Sequence, residues 1–249
     1  GMEGISFMQP EHAYFSHHPG RFFYIKDEAS GKFFSLPYEP ARVTPDSFDF
    51  CVGASEITWT VKHLELVLQL SLALPTEDTL ELWTLKIKNL STQERKLSVY
   101  SYFPVGYMSW MNQSATYDAV LNSIVCRSVT PYQKVEDYDR IKQLKDTTFF
   151  MADKQATSWE TRQQEFEGEG GLQSPTGLHR SKLANSKALY ETPAAIMHFC
   201  LDLHAGQQDQ IKCIFGPARD SLEIADVKQR YLDRETAFQE TAMEYDSYI

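Results

Sequence analysis

Residues 64–74 read L-E-L-V-L-Q-L-S-L-A-L: Leu64, Leu66, Leu68, Leu70, Leu72 and Leu74 take every second position. Glu65, Val67, Gln69, Ser71 and Ala73 lie between them. A period of two puts all these leucines on one face of a strand, whereas helical winding would scatter them. The stretch predicts a long strand with one buried face. Just before it Ile57, Trp59 and Val61 alternate in the same way and predict an antiparallel partner. Past the turn Pro75-Thr76-Glu77-Asp78, Trp83, Leu85 and Ile87 alternate with Thr84, Lys86 and Lys88. A polar turn at 89–94 follows, and Leu97, Val99, Ser101 and Phe103 continue as the next strand. Alternating runs joined by short turns predict an antiparallel meander.

Outward from this meander the pattern weakens and then returns. The charged stretch 129–162 predicts long loops around a short strand at 148–152, and Gly168-Glu169-Gly170-Gly171 predicts a flexible loop. Alternation resumes at Ala195, Met197, Phe199, Leu201 and Leu203. After a turn at Ala205-Gly206 it continues through Ile211, Cys213 and Phe215, with Gly216-Pro217 closing the β-region. Asp220 with Glu223 three residues on resembles a capping box, which starts a helix near Ser221. Tyr231, Phe238, Ala242, Tyr245 and Ile249 fall at helical spacing along it. Such an apolar stripe needs a surface, which the sheet, a partner subunit or a downstream domain would supply.

The 249 residues suit one large β-sandwich domain, and no Pro/Gly/Ser-rich linker divides them. A formal net charge of −10 disfavours nucleic acid and anionic membranes as partners. Cys51, Cys126, Cys200 and Cys213 are widely spaced and form no CxxC pair, which predicts buried free thiols in a reducing compartment. With neither a signal-peptide pattern nor a long apolar run, the expected location is the cytoplasm. The sequence holds no G-x-S-x-G, no H-E-x-x-H and no glycine-rich phosphate loop, so no cofactor and no metal are expected.

Four segments carry a resemblance. They are GRFFYIKDEASGKFFSLPYEP at 20–40, LELWTLKIKNLSTQERKLSVYSYFP at 80–104, TRQQEFEGEGGLQSPTGL at 161–178 and FCLDLHAGQQDQIKCIFGPARD at 199–220. In this order the chain resembles the N-terminal super-sandwich domain of glycoside hydrolase family 94, formerly glycosyltransferase family 36. That family includes cellobiose and chitobiose phosphorylases and the cyclic β-1,2-glucan synthase group. The resemblance implies a mainly β, galactose mutarotase-like super-sandwich of two antiparallel sheets over residues 1–218. Residues 219–249 would begin a helical linker toward an (α/α)6 catalytic barrel that this chain lacks. It also implies a non-catalytic role beside an enzyme acting on β-linked glucosides, with that catalytic domain, an oligosaccharide and a second subunit as partners.

Each candidate site also has a simpler structural explanation. His17-His18 is a polar pair whose side chains would point to opposite faces of a strand. Glu165, Glu167 and Glu169 beside glycines read as solvated carboxylates, not as an acid/base pair across a glycosidic bond. Sugar binding favours aromatic platforms flanked by planar hydrogen-bonding groups. Tyr107, Trp110, Asn112 and Gln113 form one such cluster, and Trp159 with Glu160 and Arg162 a second. The competing reading puts both tryptophans in the core or in a domain interface. A stand-alone carbohydrate-binding module and a mutarotase-like epimerase remain the alternative functions.

Overall fold

The computed structural model describes residues 20–105, 111–129 and 147–244; the side chains of Met111, Asn112 and Val129 lie outside that description. The leucine run forms β5 (Leu66–Ala73), paired antiparallel with β4 (Glu56–His63) and β6 (Glu81–Asn89). Leu66, Leu68 and Leu70 are fully buried and Leu72 partly so. The run's ends depart from the expectation. Leu74 lies past the strand and is 49% exposed. Leu64 and Glu65 form the two-residue turn of the hairpin, at φ 51° and 56°. Asn or Gly normally fills such left-handed positions. Here the closing pair His63–Leu66 sets the turn's length, and two bonds hold it: Arg95 Nη1 donates to the Leu64 carbonyl at 3.0 Å and Leu90 N to Glu65 O at 2.8 Å.

The remaining strands are β1 (Phe22–Asp27), β2 (Phe33–Leu36), β3 (Ser47–Val52), β7 (Arg95–Pro104), β8 (Met111–Asp118), β9 (Ser123–Val129) and β10 (Thr147–Ala152). They are followed by β11 (Ser158–Arg162), β12 (Ala188–Leu189), β13 (Pro193–Leu203) and β14 (Gln208–Ala218). A five-stranded sheet has the order β11-β13-β7-β1-β2, and a nine-stranded sheet the order β12-β8-β9-β10-β14-β6-β5-β4-β3. The architecture is therefore the two-sheet antiparallel sandwich anticipated above.

The simple meander stops at β6, because β7 crosses to the other sheet and lies between β1 and β13. Asn89, fully buried at the crossover, explains the I-x-N-x-S motif. Its Nδ2 donates to the carbonyls of Gln93 (2.7 Å), Leu203 (3.0 Å) and His204 (3.1 Å). Its Oδ1 accepts from Ser91 N (2.9 Å) and Ser91 Oγ (2.8 Å). One amide thus satisfies several backbone groups that the change of sheet leaves unpaired. Asp27 pins the neighbouring β1 turn, accepting from Ser30 N and Oγ and from Arg95 Nε at 3.1 Å. Burial alone would raise its carboxyl, but the Ser30 bonds and the Arg95 charge outweigh that and lower its pKa.

The main core fills the space between the sheets with Phe23, Leu68, Leu85, Val99, Phe103, Phe150, Phe199 and Phe215. Nine strands facing five leave an overhang at β3, where Phe48, Phe50 and Val52 stay exposed. An aromatic series leads inward from it: Phe50–Trp59 at 5.6 Å, Trp59–Trp83 at 6.1 Å and Trp83–Phe103 at 5.6 Å.

The outer face of the small sheet is covered by residues 163–183. Phe166, on the short helix α1 (Gln163–Glu167), packs on Tyr24, Tyr100 and Tyr102. The expected glycine loop is instead a kinked 3-10 turn, Gly168–Gln173. A Cβ at Gly177 would run into the Phe166 ring, so glycine there permits the close approach. Glu167 is not simply solvated, since it accepts from Tyr102 Oη at 2.6 Å; Glu165 pairs with Arg180 at 2.6 Å.

The outer face of the large sheet supports the terminal helices. Asp220 caps α2 (Ser221–Val227), accepting from Leu222 N at 2.9 Å and Glu223 N at 3.0 Å. Glu223 reaches back to Arg219 N at 2.8 Å, one residue before the box position. The single predicted helix is divided, with a π-helical turn at Lys228–Leu232 and then α3 (Ala237–Glu244). Ile224, Val227, Tyr231 and Phe238 pack on Leu82, Val125, Phe149, Met151 and Ile214, so the sheet supplies the surface the stripe requires. Tyr245 and Ile249 lie outside the described residues.

Further departures concern strands and thiols. β11 lies where loops were expected, and β14 runs through Gly216-Pro217 to Ala218. All four cysteines are free, but Cys51 and Cys200 are exposed and only Cys126 and Cys213 are buried. Cys51 lies on the edge strand β3, and Cys200 points outward from β13 between the core residues Phe199 and Leu201, past the end of the pairing with β11. Period-two reasoning gives the alternation but not which face is covered.

Candidate functional site

β8 and β11 run side by side at one end of the sandwich, and a short strip, 188–191, ties them together. Thr161 Oγ1 lies 3.1 Å from Ala115 O and 2.9 Å from Ser186 O, and accepts from Ala188 N at 2.7 Å. β12 then pairs with β8, placing Leu189 opposite Ser114. Next in the strip, Tyr190 N donates to Gln113 O at 2.9 Å and Glu191 Oε1 pairs with Arg162 Nε at 2.9 Å. The hydrogen bond that Arg162 donates to Glu191, together with the carboxylate's charge, raises the Arg162 pKa and keeps the guanidinium cationic.

One residue of each predicted cluster is thus bonded to neighbouring positions of the same strip, Gln113 to Tyr190 and Arg162 to Glu191. Gln113 Oε1 also accepts from Ser128 Oγ at 3.2 Å. Trp159 faces the other way. It stacks on Tyr117 at 5.5 Å and 21°, packs against the main core, and is held by reciprocal bonds with Asn185. Tyr107, Trp110 and the side chain of Asn112 lie outside the described residues, as do His17 and His18.

Sequence reasoning missed Tyr190. It is 81% exposed and sits at φ 57°, a conformation rare for a bulky side chain. Strained backbone of this kind gathers at ligand-contacting positions. The only sequence signal was an aromatic residue two places before Pro193-flanking Thr192, in a strand-poor stretch. Beside this strip a 260 Å³ hollow is lined by Ser114, Thr116, Asp118, Arg127, Lys187 and Leu189.

Glu160 sits beneath the edge and is 1% exposed. Its Oε1 accepts from Thr161 N and Arg162 N, both at 2.9 Å, and from Ser186 Oγ at 2.5 Å. Its Oε2 is buried and meets no partner among the described residues. Those bonds make Glu160 an organiser of the strip: it fixes the backbone from which Arg162 projects. Asp118 is engaged in the same way by Val120 N and Leu121 N. The arrangement offers hydroxyl, amide, aromatic and guanidinium groups to a polar ligand.

His198, by contrast, is enclosed. Its Nδ1 lies 3.1 Å from Ser158 Oγ and its Nε2 2.8 Å from Ser98 Oγ, and its ring stacks on Tyr100 at 4.4 Å. Burial lowers its pKa to about 4, so at neutral pH the ring is uncharged. Among the described residues no group of three or more His, Cys, Asp or Glu is placed to hold a metal ion, and no helix is long and apolar enough to cross a membrane.

Comparison with known proteins adds the context. The model of the glycosyl hydrolase 94 supersandwich domain matches residues 11–234. Cellobionic acid phosphorylase of Neurospora crassa is 48% identical, over 100% of this chain and 34% of that protein. Solabiose phosphorylase of Paenibacillus borealis is 25% identical over 82% of this chain and 27% of its own length. A solved structure described as a putative kojibiose phosphorylase from human microbiome superposes with a TM-score of 0.52 at 11% identity. It covers 91% of this chain and 26% of that one, and shows likeness of fold alone. The chain thus spans about a third of the length of its Neurospora relative. With a family model matched across the sandwich and into its terminal helices, the chain belongs to the glycosyl hydrolase 94 supersandwich domain family.

Proposed function

We propose that this chain is the non-catalytic N-terminal domain of a glycoside phosphorylase or glycosyltransferase acting on β-linked glucosides. It serves folding, dimerisation and the shape of the substrate site. The supporting observation is one of proportion: the family domain matches residues 11–234, while the chain covers 34% of a phosphorylase to which it is 48% identical. In this reading residues 1–218 form the sandwich and 219–249 begin the connection to an (α/α)6 catalytic barrel. The whole enzyme works in the cytoplasm as a homodimer.

The β8–β12 edge is the part we assign to the sugar, with Gln113, Arg162 and Tyr190 on it. Tyr107, Trp110 and Asn112 complete the contacting set we propose, and Trp159, stacked on Tyr117, supports the edge from the core side. The Arg162–Glu191 pair and the exposed Tyr190 ring give that edge the planar and aromatic groups that sugars prefer.

Phosphorolysis tests the reading. Cellobionic acid, named for the Neurospora relative, is incubated with inorganic phosphate, and glucosyl phosphate release is followed. The chain alone should release none, and the chain joined to its downstream catalytic domain should release it. Turnover by the isolated chain would overturn the accessory role. In the joined enzyme Arg162→Ala should raise KM several-fold with an unchanged melting temperature; an unaltered KM removes Arg162 from the sugar edge.

A further inference from the structure

The outer face of β4, β5, β6 and β14 carries a polar grid, away from the edge described above. Thr60, Gln69, Lys86 and Gln210 stand abreast in one row across the strands. Ser71, Thr84 and Lys212 form the next row, and Lys62, Val67, Lys88 and Gln208 the row on the other side. Two hollows open on this floor. One, of 230 Å³, is lined by Thr60, Val67, Gln69, Lys86, Lys88 and Gln208. The other, of 460 Å³, lies between the floor and α3, with Ser71, Thr84, Lys86 and Gln210 below and Thr236 and Gln239 at its wall; the carboxylates Glu56 and Glu235 also belong to its lining. Lys86 borders both, so the two hollows adjoin at its side chain along one groove-like floor.

Charge distinguishes the smaller hollow, whose lining holds Lys86 and Lys88 and no carboxylate, from an ordinary solvated sheet face. The chain has 34 acidic side chains against 24 Lys and Arg, yet Lys62, Lys86 and Lys88 have no carboxylate partner among the described residues. Lys62 and Lys88 share a row, with Val67 between them, and Lys86 lies on the same face of β6, so this face gathers three like charges that repel one another across it. An anion placed among them relieves that repulsion. Around it Gln69, Ser71, Thr84 and Gln210 make no side-chain hydrogen bond to another described residue, and amides and hydroxyls both donate and accept. That combination matches a ligand with many hydroxyls and one negative group.

We propose that the groove binds a sugar bearing a carboxylate or a phosphate, with Lys86 and Lys88 holding the anion and Gln69, Ser71, Thr84 and Gln210 the hydroxyls. The site is separate from the β8–β12 edge, and its failure would leave the proposed function untouched.

Calorimetric titration of the whole chain tests it, with glucuronate, glucose 1-phosphate, glucose and inorganic phosphate as probes. Saturable binding of at least one of the two anionic sugars is expected, with glucose at least ten-fold weaker. Glucuronate alone identifies the carboxylate as the recognised group, and glucose 1-phosphate alone the phosphate. The double variant Lys86→Gln/Lys88→Gln, with an unchanged circular dichroism spectrum, should weaken that binding at least ten-fold, while Arg162→Ala should not alter it. Inorganic phosphate binding as tightly as the sugars would reduce the groove to a plain anion site and overturn the proposal. Absence of saturable sugar binding, or an undiminished affinity in the double variant, would do the same. A wild-type dimer that the double variant dissociates, without any sugar binding, would assign the face to a protein contact instead.

Discussion

The nine-stranded sheet has one outer face and two different surfaces on it. Toward β9 and β10 that face is apolar, with Leu82, Val125, Phe149, Met151 and Ile214 sealed under the terminal helices. Toward β4 and β5 it is a grid of Thr, Gln, Ser and Lys side chains open to solvent. The boundary runs along β6 and β14, so the same strands serve both. On β6, Leu82 belongs to the covered half, and Thr84, Lys86 and Lys88 to the open one. The terminal helices therefore are part of the folded domain, because they bury a patch that the sheet could not otherwise hide from water.

Substitutions at the two surfaces should differ sharply in effect. Phe238→Ala removes a nearly buried ring from the covered half, where its face also receives Lys212 Nζ at 5.4 Å. It should cost about 3 kcal/mol in urea unfolding, as large-to-small core changes do. A loss below about 0.5 kcal/mol, within the range of ordinary surface changes, would show that the helices merely rest on the sheet.

Asp27 provides a reference remote from both surfaces. Its folded pKa is lowered, so its contribution is fully present above the unfolded carboxylate value of about 3.9 and disappears as pH falls through the folded value. Asp27→Asn should cost about 2 kcal/mol at neutral pH, through loss of charge-assisted bonds to Ser30 and Arg95. It should also flatten the decline in stability as pH falls below about 4, and an acid limb identical to wild type would remove Asp27 as its source.

A smaller effect is expected where the helices meet the turn before β6. Tyr231 Oη donates to Asp78 Oδ2 at 2.6 Å, and Arg230 pairs with the same carboxylate. Tyr231→Phe should cost about 1 kcal/mol, the usual net worth of one such bond. No change in the thermal midpoint would mean that Arg230 alone satisfies Asp78. The least change belongs to the open half, where Lys88→Gln should alter stability by less than about 0.5 kcal/mol. A larger destabilisation there would show that the lysine is structural, and would weaken the case for an unfilled anion site.

Legibility from sequence follows the range of the interactions. The alternation of Ile57, Trp59 and Val61 and of Trp83, Leu85 and Ile87 led directly to β4 and β6, since a strand's two faces are written in adjacent residues. Asp220 announced the start of α2 for the same local reason. The Leu64–Glu65 turn was hidden, because neither residue prefers φ > 0 and its supports come from Leu90 and Arg95. At the candidate edge, Gln113 and Arg162 were recognisable as polar groups in aromatic company. Their proximity depends on residues 188–191, distant in sequence from both. Trp159 as a sugar platform and Trp159 as packing were indistinguishable from composition; stacking on Tyr117 is a matter of placement.

The amino-acid order by itself determined that this chain builds antiparallel strands with one apolar face, and where most of them run. Period-two patterning needs no partner to be read. Only the tertiary structure decided that β7 leaves the meander for the other sheet, with Asn89 bonding the carbonyls of Gln93, Leu203 and His204 at the crossing. It alone decided which half of the large sheet the helices cover. Both outcomes depend on groups far apart along the chain satisfying one another's hydrogen bonds and apolar surface, and no local pattern encodes such long-range pairings.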